Sequence, residues 1–264
     1  KFTQERRSRA ISFYMISLTG GYLLGNILGG ILVDLIGTRW IFFFNAILIG
    51  GAIIIVLFFL PETRFSKNLS SNKSRDYRFK FLFQLEYLFG LLLNIIRSFS
   101  LSGILTYQIW LFTQEFNLSE FATALVLIPM TMIYILGTFL APKINQKLGI
   151  LRLLHYGSIF FTIFGALILI KIQLWWYLSF SLMTAFSMGV LEPEITTFTQ
   201  EFIPENERGL GNGIFNTIGF LFSAVGQISL PALSEIWGFR GVYGTLLGIW
   251  LFMVVLLIFI RKKS

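Results

Sequence analysis

Ionisable side chains enclosed by apolar residues are costly, so the few in this sequence mark where chemistry is to be sought. Arg97 lies within LLLNIIRSFSLSGILTYQIWLFT, and Glu192 within SLMTAFSMGVLEPEITTF. Each is about six residues from the same end of its run, roughly 9 Å deep at ~1.5 Å per residue. Pro193 and Glu194 follow Glu192 directly. A guanidinium at that depth can pair with Glu192 or with Glu194, as a gate or as a cation- or proton-responsive site. In the alternative, Arg97 snorkels to headgroups and the glutamates reach water. Pro193 removes a backbone donor and favours a kink beside the acids, or else an early helix end.

Neutral polar groups form a second set. Asn94, Tyr107 and Gln108 share a run with Arg97, while Asn216 and Gln227 share a later one. Such groups either face a water-filled cavity or bond to a neighbouring helix. His155, the single histidine, is expected as an interfacial polar residue, with a proton shuttle as the second reading. There is no cysteine, no His/Cys/Asp spacing suited to a metal, and no G-x-x-x-x-G-K-[ST] loop for a nucleotide. No hydrolytic nucleophile arrangement is recognisable, and an enzyme is not expected. No cofactor is expected either.

The elements that must hold these groups are long and apolar. The 264 residues are 55% hydrophobic and 13% charged, with mean hydropathy +0.76, against ~25% charged for a soluble domain. Runs of this length span a bilayer as helices. Eight spans are expected: 11–36, 39–60, 91–114, 120–142, 153–171, 175–197, 211–236 and 241–260. Residues 81–90 either extend the third helix or, as Gln84 and Glu86 favour, lie along the interface. The fold class is therefore all-α polytopic membrane protein. The net charge of +8 is no sign of nucleic acid, because it is distributed by side. Seventeen Lys and Arg fall at the termini and alternate loops, and three (Arg39, Lys171, Arg240) on the other side. That asymmetry puts both termini and the 62–80 loop in the cytoplasm. Trp175, Trp176 and Tyr177 then belong to the outer interface.

The stretch GGYLLGNILGGILVDLIGTRWIFFFN, from Gly20 to Asn45, sets Gly21, Gly25 and Gly29 on one helix face, bare for close approach. A faint repeat at an offset of 201 pairs Arg7 with Arg208, Gly25 with Gly226, Gly37 with Gly238 and Arg39 with Arg240. It sets the first two spans against the last two. Two parallel halves are a known transporter plan, and on that plan roughly 120 residues precede Lys1. The chain also opens without Met, in a charged segment, and is expected to be the C-terminal part of a longer protein.

These motifs resemble the major facilitator superfamily, and within it the drug:proton antiporters. The fifth helix of that branch carries G-x-x-x-G-P-x-x-G-G. Here Gly21, Gly25, Gly29 and Gly30 match, and Asn26 stands where the branch has proline. Arg39, Trp40, Phe42 and Asn45 fit the continuation, and Pro61-Glu62-Thr63 the end of helix six. Pro204, Arg208, Gly209, Gly213 and Asn216 are similar to the approach to helix eleven, and 142–149 to a decayed loop motif that keeps Gly149. The resemblance implies helices five to twelve of an expected twelve. Residues 1–61 would close the first six-helix bundle, 62–80 link the bundles, and 81–264 form the second. It implies a secondary transporter working by alternating access, with a proton gradient driving export of a small apolar or amphipathic compound. A symporter or uniporter importing a metabolite is the alternative, and a non-transporting membrane protein or membrane enzyme the reading from another class. Asn94, Arg97, Tyr107, Gln108, Glu192, Glu194 and Asn216 would line the substrate cavity. The partners implied are a small-molecule substrate and the bilayer of the cell membrane, with no nucleic acid and a monomeric working state.

Overall fold

The structure, a computed structural model, describes residues 11–18, 20–21, 24–25, 37–59, 80–171 and 173–261. Among these residues there is no strand, and six helices are long and apolar enough to cross a membrane. They are α1 (Thr38–Phe59), α2 (Leu85–Gln114), α3 (Glu120–Leu148), α4 (Ile150–Ile168), α5 (Leu174–Glu201) and α6 (Arg208–Arg261).

The count is six rather than the expected eight for two reasons. The first expected span is helical at 11–18, 20–21 and 24–25, and its remainder lies outside the described residues. The seventh and eighth are two helices that follow each other without a loop, taken together as the 54-residue α6 and parted at the non-helical Gly238 (φ 62°, ψ −167°). At ~1.5 Å per residue a straight helix of that length far exceeds a ~30 Å hydrocarbon layer. The chain must double back, and it does: Phe215 before the break and Trp250 after it both bond to α2. Gly238 occupies a backbone region essentially closed to residues with a Cβ. Gly37, its partner at the offset of 201, also has positive φ (80°) and stands immediately before α1. The two glycines share positive φ.

Helix ends shift by a few residues. The 81–90 segment extends its helix rather than lying along the interface. A 3-10 turn, Lys80–Phe83, leads into α2 at Leu85. The reason is packing: Tyr87 is fully buried and donates its hydroxyl to the Gly211 carbonyl (3.0 Å). α5 continues eight residues past Pro193, to Glu201, so the helix does not end early. The carbonyl that Pro193 leaves without its i+4 donor is that of Gly189. Thr138 of α3 supplies the missing bond from its hydroxyl (3.0 Å).

Helices α2 to α6 pack on one another. α2 lies along α6 and touches α5, α3 lies on α5, and α4 rests on α5 and α6. In lipid there is no hydrophobic drive between helices, so close backbone approach and hydrogen bonds do the holding. At the α3–α5 crossing a Cβ on Gly137 would collide with the Phe186 carbonyl, and one on Gly189 with the Tyr134 carbonyl. At the α2–α6 crossing Gly226 meets the Phe99 carbonyl. Three apolar clusters result, the smallest around Ala141, Leu153 and Val190. Of the larger two, one, around Leu93, Leu191, Ile195 and Trp250, lies at the Arg97 end. The other, around Tyr107, Leu111, Tyr177 and Tyr243, lies at the opposite end. α1 differs from the rest: none of its apolar window is buried.

Candidate functional site: a charged pair braced between two helices

The site begins with the order of residues on α2. Asn94, Arg97 and Ser98 fall at i, i+3 and i+4, which places them on one face. One terminal nitrogen of Arg97 donates to Asn94 Oδ1 (2.9 Å) and to Ser98 Oγ (2.9 Å). The other terminal nitrogen pairs with Glu192 Oε1 of α5. Asn94 in turn donates through Nδ2 to the Phe215 carbonyl of α6 (2.7 Å). The guanidinium is thus held by its own helix and tied to two others. Both charged side chains are 13% exposed, so the pair is shielded but not sealed. Nε of Arg97 is buried and makes no bond among the described residues.

The two glutamates, which follow each other at i and i+2, face different neighbours. Glu192 turns to α2. Glu194 is fully buried and accepts from Asn145 Nδ2 of α3 (2.5 Å). Of Glu192 and Glu194, it is therefore Glu192 that meets Arg97. Pro193 lies between them, buried within α5. Thr196, Thr197 and Thr199 follow, each bonded back to the carbonyl four residues earlier. Such back-bonding bends helices slightly.

Tyr107 and Gln108 lie roughly 15 Å further along α2. They are 0% and 5% exposed and belong to a second polar cluster, buried between helices. There Tyr177 and Tyr243 share a 2.6 Å hydrogen bond, and Tyr107 stacks on Trp110 (ring centroids 5.6 Å apart). Tyr177 is therefore an interior residue, not one of an interfacial belt, whereas Trp175 is 73% exposed. His155 is buried on α4. It shares its face with Leu154 and Ser158, toward the neighbouring helices. Asn216 and Gln227 lie on an exposed face of α6, away from the Arg97 cluster. In the glycine motif, Gly21 and Gly25 meet no neighbour where a Cβ would stand. Asn26, Gly29 and Gly30 lie outside the described residues.

Four residues of the site were not singled out from the sequence: Ser98, Asn145, Thr138 and Gly219. A Cβ on Gly219 would press within 2.9 Å of Asn94 Nδ2, so its bareness admits the Asn94 bracket. The signal for Asn145 was its place near the end of an apolar run, at the level of Glu194. Among the described residues no cluster of His, Cys, Asp or Glu could hold a metal ion.

Long apolar helices packed through glycines around an internal ion pair define a polytopic helical membrane protein. The chain belongs to the Major Facilitator Superfamily, whose profile matches residues 1–227. It is 23% identical over 246 residues, 91% of its length, to an uncharacterized MFS-type transporter of Methanocaldococcus jannaschii, of which it covers 63%. It is also 23% identical over 230 residues, 84% of its length, to multidrug resistance protein 1 of Bacillus subtilis, of which it covers 58%. The chain spans about three fifths of the length of these relatives.

Proposed function

We propose that this chain supplies the second bundle, 81–264, and the last two helices of the first bundle, 1–61, of a proton-driven exporter of small apolar or amphipathic compounds. Residues 62–80 join the two on the cytoplasmic side of the cell membrane, and the whole protein works as a monomer by alternating access. The family gives the transporter class, and the likeness to a multidrug resistance protein supports an apolar cargo. One observation carries the coupling: Arg97 and Glu192 are paired across α2 and α5 while each keeps a small exposed fraction. A proton reaching Glu192 removes its charge and leaves Arg97 held only by Asn94 and Ser98. The tie between α2 and α5 then loosens. Loss of that tie is the step that lets one side of the transport path open.

The test is the full-length protein in proteoliposomes with an imposed pH gradient, offered a panel of lipophilic dyes and polar metabolites. Dye movement against the proton flow is expected, with a pH profile that flattens in Glu192→Gln. Uptake of a metabolite with no dye movement would establish the import reading instead. If Arg97→Gln and Glu192→Gln both leave transport and its pH profile intact, the pair has no part in coupling.

A further inference from the structure

A pocket of about 290 Å³ opens between helical residues 11–16 and the last turns of α3. Its lining is Ser12, Phe13, Ile16, Phe139, Pro142 and Lys143. We infer that it holds the phosphate and upper acyl chain of an anionic phospholipid. The site is separate from Arg97–Glu192, and it stands whichever substrate the protein carries.

Position argues first. One wall is α3, a helix long and apolar enough to cross a membrane, near its end that bears Lys143 and Lys147, and the other is helical residues 11–16. A cavity that opens there meets headgroups on one side and acyl chains on the other. The walls are matched to both. Phe13 and Phe139 are 62% and 47% exposed, which leaves apolar surface for a chain to cover. Lys143 sits 5.3 Å from the Phe139 ring centroid, so its ammonium is held over the pocket. No carboxylate among the described residues pairs with it. The nearby acid, Glu194, is bonded to Asn145, about 200° round the helix from Lys143.

The hydroxyl of Ser12 is the second, independent sign. Ser12 is only 3% exposed, and its Oγ has no hydrogen-bond partner among the described residues. A buried hydroxyl left unpaired costs about 1–3 kcal/mol. A phosphate oxygen in the pocket accepts from Ser12 Oγ and from Lys143 Nζ together. The volume lies at the small end of ligand pockets, enough for a phosphate and the first part of one chain. A zwitterionic choline lipid fits less well, because its own quaternary ammonium lies beside Lys143.

The full-length protein is purified into nanodiscs of equal phosphatidylglycerol and phosphatidylcholine with identical chains. Lipid retained after release into the gas phase is measured by native mass spectrometry. Phosphatidylglycerol is expected to exceed phosphatidylcholine about fivefold, the worth of one lysine near an anionic surface. Lys143→Gln abolishes the preference and Lys143→Arg restores it, which separates loss of the site from loss of the fold. Ser12→Ala weakens retention of phosphatidylglycerol. Lys147→Gln, one turn on and outside the pocket, leaves the preference intact, and millimolar inorganic phosphate does not displace the lipid. The inference is overturned by equal retention of the two lipids, by no retained lipid, by an unchanged preference in Lys143→Gln, or by an equal loss in Lys147→Gln. Displacement by inorganic phosphate overturns it too, since the ligand would then be the free anion.

Discussion

At the scale of single residues, the Arg97–Glu192 pair is legible because charge in an apolar run is expensive and so must be answered. What answers it is less visible. Asn145, Ser98 and Gly219 are neutral and common, and nothing in their types separates them from helix surface. Breaking a buried pair by removing one partner is worth about 3–5 kcal/mol, because the other charge is stranded. Arg97→Gln and Glu192→Gln are each expected to lower thermal stability in detergent strongly. The double variant should lose less than the sum of the two. Additive losses would show that the two side chains do not depend on each other. Thr138→Val tests the Pro193 repair in the same assay. It leaves the Gly189 carbonyl unsatisfied and is expected to cost about 1–3 kcal/mol, while Thr138→Ser is tolerated.

The existence of the individual helices is legible in the sequence, their phase and extent less so. Runs of apolar residues show that a helix crosses, but not which way each side chain points. Trp175, Trp176 and Tyr177 look like one belt in sequence. A turn of ~100° per residue sends Trp175 outward and Tyr177 inward to the Tyr243 hydroxyl. The same limit hid the α3–α5 crossing, since a lone Gly137 or Gly189 reads as a weak spot in a helix. Substituting either with valine is expected to abolish a monodisperse peak on size exclusion, because the backbones can no longer meet. Gly238→Ala is milder. It forces a Cβ into a backbone region that favours glycine, at about 1–3 kcal/mol, and should lower the melting temperature while leaving the fold.

For the whole molecule, the charge asymmetry makes a prediction that the absence of cysteine renders easy to check. Lys147→Cys should react with an impermeant maleimide only from the cytoplasmic face, and Lys171→Cys only from the outer face. Labelling of both from one side would overturn the assigned orientation. The two residues are exposed, so accessibility does not confuse the result. The helices of the α2 to α6 bundle could be anticipated from apolar runs. Its two polar clusters could not, because the pairing of Tyr177 with Tyr243 and of Glu194 with Asn145 joins distant stretches of chain.

The contrast between α1 and α5 bears on how the protein is made. α1 has the highest mean hydropathy of the six helices, 2.6. α5 has the lowest, 1.3, and its second half is enclosed almost completely. A ribosome delivering α1 to the translocon hands over a segment that lipid alone can accept. α5 arrives later with two glutamates, and bare hydrocarbon is a poor host for it. By then Arg97 and Asn145 have already been synthesised, because α2 and α3 precede α5 in the chain. Chain order thus supplies each partner before the charge it must meet.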